Sequence, residues 1–397
     1  MRVPKVADIR RANEVACIQA WRLRGKALTI AELAQQAGLS RPTVEAVVAD
    51  LIDRGFVQEH AAEGDGATLG RPARRFDFDP TSRLVAGIDA APTSIRVALA
   101  DMSGRILTLT DRPLQGALTA AQRLNETVKA VRESLQRIGL PASRLAAACI
   151  GVSGIVRHDG KISRSYYVPE WNNTDVARVL SERLDCAVLL ENDIKLAAYA
   201  EHHMGTTQLV RNSVYFQLGE RISFAVTLNG RILQGAHRTA GELASLRGMR
   251  WTSNSVKGQL LWKSADSFAG VMELAEQGDP DAAQEIDTFA SDIAYWIAAV
   301  SLVVDPDVVL LGGEFAQASG FPERLRLQID HMMLVSEKPD VLPSSLGRDG
   351  TLLGTVALAF HECSETLFGV AGVPVPEIVK PDGAEFGTQP AAWVSTG

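Results

Sequence analysis

Two stretches near the N-terminus carry side chains whose types and spacing suit DNA. Ser40, Arg41, Thr43 and Glu45 are interleaved with Val44, Val47, Val48 and Leu51, whose three- and four-residue spacing predicts a helix. Such a helix buries the apolar set and leaves hydroxyl, guanidinium and carboxylate groups to project outward, where they can read base edges in a major groove. Further along, Gly70-Arg71-Pro72 with Arg74 and Arg75 resembles the basic core that places an arginine in a narrow, A·T-rich minor groove. Solvated charge is the plainer reading of those arginines. His202-His203 is a weak metal signal, because adjacent helical residues point in different directions. Cys17, Cys149, Cys186 and Cys363 form no Cys-x-x-Cys pair, which fits reduced thiols better than a disulfide framework or a thiolate zinc site.

The elements around these residues spell out their placement. Ile9, Val15, Ile18 and Trp21 recur near helical spacing and give a first helix. Thr29-Ile30-Ala31-Glu32 is a capping box that opens a short helix running to Gln36 and closed by Gly38. Ser40 caps the next helix, with Pro42 in its first turn, where a missing N–H costs nothing. Two short helices joined by a tight glycine turn make a helix-turn-helix. A strand from Gly55-Phe56-Val57, a polar loop over Gly64 to Gly70 and a return strand over Arg75 to Phe78 add a wing. Residues 1–75 hold 12 Lys/Arg against 9 Asp/Glu, while the whole chain carries a net charge of −7, so a polyanion would meet the N-terminal end.

With 397 residues, 46% of them hydrophobic, the chain exceeds one small domain and can bury sizeable cores. The charged N-terminus leaves no room for a signal peptide, and the longest apolar run, Ile293 to Val304, is shorter than the roughly 20 residues of a membrane-spanning helix. A cytoplasmic location is expected. After a turn-rich linker, strands over Leu84 to Asp89, Ile95 to Asp101 and Arg105 to Thr110 precede a helix, a strand near Ala146 to Val152, further helices and a strand at Ala187 to Leu190. The order restarts at Ser213, and Gly104-Arg105-Ile106-Leu107 recurs as Gly230-Arg231-Ile232-Leu233. This reads as an internal duplication, with two lobes facing across a cleft. The expected organisation is a winged helix-turn-helix over 1–78, a linker over 79–83, one lobe over 84–205, a second over 206–375 whose final helix packs back on the first, and a tail over 376–397 that is either free or strapped onto the body.

The combination resembles the ROK family of repressors and sugar kinases, and within it the winged-helix branch that includes the N-acetylglucosamine and xylose repressors. The resemblance runs from about Ile9 to Glu365. It rests on Gly87-Ile88-Asp89-Ala90-Ala91-Pro92-Thr93 at a first phosphate loop, Gly151-Val152-Ser153-Gly154 at a Gly-x-Pro-Gly turn, Trp171-Asn172-Asn173, Leu190-Glu191-Asn192-Asp193 and Gly241-Glu242-Leu243-Ala244-Ser245. It implies an α/β fold class: an N-terminal winged helix-turn-helix domain plus a two-lobed, actin-like, sugar-kinase-like ROK domain, dimeric or tetrameric. It also implies a ligand site at Ser153, Gly154, Ser165, Asn172, Asn192, Asp193, Glu242 and Ser245, with Asp193 at the kinase-base position. Paired carboxylates plus amides suit a polyol. Helix capping by Asn192-Asp193 and a helix-start charge at Glu242 are the plainer readings.

Several residues argue against phosphoryl transfer. Pro92 has no N–H for a phosphate, and Ala91 adds a Cβ where close backbone approach is wanted. Glu220, Arg221, Ser223 and Phe224 replace the glycines and threonine of the second loop. A carboxylate about 4 Å from a phosphate costs roughly 4 kcal/mol per charge pair at an effective dielectric near 20. Ser245 replaces the histidine of the family's zinc motif, and no cysteine lies between Cys186 and Cys363, so neither structural zinc nor ATP is expected. The expectation is a non-enzymatic, DNA-binding regulator of carbohydrate genes, recognising a pseudo-palindromic operator as a homodimer and answering to a sugar. A kinase with an atypical donor, or a regulator displaced by a protein partner, are the alternatives.

Overall fold

The computed structural model describes residues 6–60, 74–246, 255–256 and 259–381. At the N-terminus α1 (Val6–Arg24), β1 (Leu28–Thr29), α2 (Ile30–Ala37), α3 (Arg41–Asp53), β2 (Val57–His60) and β3 (Arg75–Phe78) form a three-helix unit with a sheet in the order β1-β3-β2. The capping box forms as read: Thr29 Oγ1 accepts from Glu32 N at 3.2 Å, and Glu32 Oε2 accepts from Thr29 N at 2.8 Å. Gly38, at φ 68°, ends α2 in the left-handed conformation that glycine adopts without strain. The first wing strand begins at Val57 and not at Gly55, because Gly55 has φ 75° and turns the chain out of α3. Arg71 and the loop over Gly64 to Gly70 lie outside the described residues.

The first lobe comprises β4 (Leu84–Ala90), β5 (Ser94–Asp101), β6 (Ile106–Pro113), α4 (Ala120–Arg137), β7 (Leu145–Val152), the hairpin β8 (Ile155–Val156) and β9 (Ile162–Arg164), α5 (Val176–Leu184), β10 (Ala187–Asn192) and α6 (Asp193–Met204). The second comprises β11 (Ser213–Leu218), β12 (Ile222–Leu228), β13 (Arg231–Ile232), β14 (Ser255–Val256), β15 (Gln259–Leu260), α7 (Phe268–Glu276), α8 (Pro280–Val304), β16 (Val308–Gly312), α9 (Phe321–Met332) and β17 (Asp340–Pro343). Then come α10 (Gly350–Glu362) and α11 (Ser364–Phe368).

The duplication holds strand for strand. One sheet runs β6-β5-β4-β7-β10 and the other β13-β12-β11-β16-β17, each with three antiparallel strands followed by two parallel ones. The repeated Gly-Arg-Ile-Leu tetrapeptide marks the same turn in both, and Gly104 (φ 94°) and Gly230 (φ 74°) supply the positive φ it requires.

Alternation along β4 sends Leu84, Ala86 and Ile88 into a core under α4 and α5, and Val85 into a core under α6 and α10. That second core is continuous with the interior of the winged helix, including Trp21, Leu33, Val48 and Phe76. The chain beyond α11 completes the seam with buried Val370 and Val373. There Arg11 Nε donates to Ala371 O (2.6 Å), Arg22 Nη1 to Pro374 O (2.8 Å) and Arg54 Nη1 to Gly369 O (3.3 Å). Val379 then pairs with the β5–β6 turn, accepting from Ile106 N at 2.8 Å. The first residues of the expected tail are thus strapped onto the body at Val379, its residues 382–397 lying outside the described ones, and the final long helix packs on the first lobe. By length and composition α8 could cross a membrane, but here Ile286, Phe289, Ile293 and Ile297 form the core of the second lobe.

Candidate DNA-reading helix and inter-lobe site

On α3 the apolar positions Val44, Val47, Val48 and Leu51 are buried, while Ser40, Arg41 and Glu45 are exposed. The hydroxyls have local work. Ser40 Oγ caps Thr43 N at 3.4 Å and lies 2.7 Å from Thr43 Oγ1, which leaves Arg41 and Glu45 as the polar tips without a partner among the described residues. Arg74 and Arg75 are exposed but engaged within the domain. Arg74 Nε sits 2.7 Å from Glu59, and Arg75 Nη1 donates to Ala27 O at 3.0 Å with Glu32 at 3.4 Å. Arg75 therefore pins the wing strand to α2, a role invisible in a run of basic letters.

Between the lobes, α6 begins with Asp193 at the carboxyl end of β10, and the β7–β8 turn places Ser153 against it. Ser153 Oγ hydrogen-bonds the Asp193 carboxylate, and Ile194 N donates to Asp193 Oδ1 at 3.0 Å. Burial raises the Asp193 carboxyl above its ordinary range, while Arg221, Ser153 and the α6 amides act to lower it. Burial likewise pushes Asp89, at the end of β4, to about 6, opposed by Arg96 and reinforced by Asp193. Glu242 follows Gly241, which must be glycine: its φ is 91°, and a Cβ there would fall 2.0 Å from Phe224 O. Glu242 stands at the start of a short 3-10 helix, Leu243–Ser245, as the plainer reading has it, but its side chain makes no capping hydrogen bond, and burial with the Asp193 charge raises it to about 7.

Other expected ligands serve the scaffold. Asn192 is the helix N-cap of the plainer reading: Oδ1 accepts from Ile194 N (2.9 Å) and Lys195 N (3.0 Å), while Nδ2 donates to Gly154 O (3.1 Å). Buried Ser165 donates to Ser153 O at 2.5 Å and accepts from Val168 N at 3.0 Å, and Asn172 Oδ1 accepts from Ser165 N at 2.6 Å. The Ser165 hydroxyl is thus committed to the β7–β8 turn, and Asn192 and Asn172 commit their side-chain oxygens to the scaffold. Gly154 leaves no space for a side chain, since a Cβ would fall 2.9 Å from Arg164 O. Ser245 is exposed at the rim beside Tyr166.

Sequence reasoning missed the polar ties across the cleft. From the second lobe, Arg238 Nη2 donates to Glu191 Oε2 at 2.5 Å and Gln234 Nε2 to the same oxygen at 2.9 Å. Lys195, 3% exposed, donates to Gln234 Oε1 at 3.0 Å and Arg238 O at 3.1 Å. β13 ends at Ile232, and Gln234 lies in the chain beyond it. A lysine on the inward side of α6, four residues after Glu191, was the available signal. In the second loop Glu220 is raised to about 7 by burial and the nearby Glu314, and Arg221 turns toward the first lobe.

The ROK family model matches residues 85–247 and 244–362. The chain belongs to the ROK family. A MarR family model matches residues 20–67, over the winged helix. The DNA-binding transcriptional dual regulator NagC of Escherichia coli is 25% identical over 221 residues, 54% of this chain and 52% of NagC. The chain spans about half the length of that and several other curated relatives it matches. The crystal structure of the ROK hexokinase from Thermus thermophilus is 26% identical with a TM-score of 0.60, covering 71% of this chain and 99% of that one. A ROK family transcriptional regulator homologous to the E. coli MLC protein superposes with a TM-score of 0.67 at 19% identity, covering 91% of this chain and 98% of its own. Kinases and regulators thus share this fold, and the likeness to the second of these structures covers most of the chain.

Proposed function

We propose that this ROK protein is a DNA-binding repressor of carbohydrate uptake or catabolism genes, without kinase activity, whose effector is a sugar or related metabolite held between the lobes. The observation that carries the reading is the exposed recognition helix of a complete helix-turn-helix sharing one hydrophobic core with the first ROK lobe. A domain packed in this way moves with that lobe.

The other lobe offers a surface for a second copy. Tyr295 (60% exposed), Leu302 (56%) and Val303 (85%) line the outer side of α8, opposite its core-facing residues. A homodimer joined there has its two winged helices on the far lobes, so closing the cleft alters their spacing. Half-sites one DNA turn apart, roughly 34 to 36 Å, make the operator pseudo-palindromic. A ligand shifts this equilibrium only through unequal affinity for the open and closed states.

The second loop supports the non-enzymatic reading. Backbone N–H groups that would cradle a phosphate are accompanied here by the half-buried Glu220 carboxyl beside Glu314 and by the Phe224 ring stacked 5.2 Å from Phe216. Selection of bound fragments from the organism's sheared genomic DNA, followed by elution with sugars and polyols, tests the proposal. A palindromic site near carbohydrate genes, released by one compound, is the expected result. Failure to enrich any DNA, or sugar-dependent turnover of labelled ATP, refutes it.

A further inference from the structure

Arg221 lies at the turn between β11 and β12 and reaches out of the second lobe into the first. Its Nη1 donates to Ser153 Oγ at 2.7 Å, and its guanidinium carbon stands 4.3 Å from the centroid of the Tyr167 ring. Asp89 and Asp193 both feel its charge. Among the described residues, however, no carboxylate comes within 4.0 Å of it, and Ser153 is its one hydrogen-bond acceptor. Arg238 and Arg96, also part-buried near this cleft, are matched with Glu191 and Asp349. Among the described residues, Arg221 is the one of the three whose guanidinium has no carboxylate partner. Stacking on Tyr167 holds the plane of the group and leaves its edges open.

We propose that Arg221 makes the cleft selective for a sugar bearing a carboxylate, a uronate or an aldonate, whose acid group pairs with the open edge of the guanidinium. The proposal rests on reading the cleft as an effector site and narrows the effector class. A planar carboxylate matches the guanidinium fork in a bidentate pair. A neutral sugar leaves a half-buried cation without a carboxylate partner, and such missing partners are what give polar sites their discrimination. A phosphate brings up to two charges into a cleft that already holds Asp193 and Glu242, so the single charge of a carboxylate is the better match. The ligand's hydroxyls face Asp193 and Glu242, which accept from them.

The test is calorimetric titration of the full chain with glucuronate, galacturonate and gluconate against glucose, galactose and glucose 6-phosphate, for the wild type, Arg221→Gln and Arg221→Lys. At least one acid binds more tightly than its neutral twin. Arg221→Gln weakens that acid by roughly 30-fold or more while changing the neutral sugar little, and Arg221→Lys retains part of the preference. Melting curves monitor folding, and if Arg221→Gln is unfolded the lysine variant, which keeps the charge but not the fork, carries the comparison. Equal binding of neutral and acidic twins, indifference to the substitutions, tighter binding of glucose 6-phosphate, or no binding by any acid overturns the assignment. Fluorescence anisotropy with selected DNA separates the two readings. DNA binding with a cleft that prefers neutral sugars refutes the role of Arg221 alone, whereas loss of DNA binding refutes the regulator.

Discussion

Gly354, in the middle of α10, is where the last long helix crosses α6. A Cβ at this position would lie 2.0 Å from Leu196 O and 2.6 Å from Leu196 C, both backbone atoms of α6. Carbon–oxygen contacts settle near about 3.3 Å, so Gly354→Ala must push the helices apart by roughly 1.3 Å. At an exposed helical site the same change stabilises by about 0.5–1 kcal/mol. Here overpacking against a backbone costs about 1–3 kcal/mol or more, and the separation also disturbs Gly350, whose Cβ position is 3.3 Å from Ala197 Cβ. The net expectation is a loss of about 1–2 kcal/mol, read as a lower urea midpoint with an unchanged slope. The crossing joins the cleft to the seam, because Thr351 Oγ1 on α10 donates to Asp193 O at 3.1 Å and α10 leads into the strap on the winged helix. A shift there therefore also changes DNA affinity or its response to ligand. A variant as stable as the wild type, or more stable, would refute the close crossing and with it the route from cleft to DNA-binding domain.

Glu242, raised to about 7, binds a proton on folding between its ordinary value of 4.5 and 7, so stability falls as pH rises through that window. Against Glu242→Gln, which does not titrate, the wild type should match at about pH 4 and be less stable by about 1–2 kcal/mol at about pH 8, after allowance for partial solvent contact; a difference independent of pH contradicts this environment. Removing residues 369–397 takes out buried Val370 and Val373 and should cost about 3–6 kcal/mol, with the winged helix melting as a separate transition in calorimetry. A single unchanged transition would mean the strap does not weld the domains. For DNA, Arg41→Ala should lose about 1–3 kcal/mol and relax sequence preference, whereas Arg74→Ala should weaken all sequences alike and reduce the salt slope by about one. Anisotropy titrations across salt concentrations distinguish them, and identical behaviour of the two variants contradicts the division of roles.

Much of the fold was legible because the signals are local. The Thr29 and Glu32 cap involves groups three residues apart, the buried stripe of α3 repeats within one helix, and the strands of each lobe announce themselves by runs of β-branched and apolar residues. The duplicated strand order followed from the same runs read twice. The site was less legible. The charges of Asp193 and Glu242 lie close enough to act on one another, whereas the Asn192 oxygen and the Ser165 hydroxyl are taken up in the turn they build, since an asparagine after a strand caps a helix and binds a hydroxyl with the same atoms.

The order of residues alone was enough to specify the two kinds of domain, their succession, the helix that exposes Arg41 and Glu45, and the bulky residues at the turn after β11, because short-range hydrogen bonding and periodicity set all of these. Which charges meet was settled by the packing of the folded chain. Arg75 finds Glu32, Arg238 finds Glu191, and Arg221 crosses to Ser153. The welding of the winged helix to the first lobe likewise depends on Arg11 and Ala371, and on side chains from both ends of the chain sharing one core. Such partners lie far apart along the chain, and what joins them is the burial of apolar faces, which is non-directional and selects no partner until the packed whole is specified.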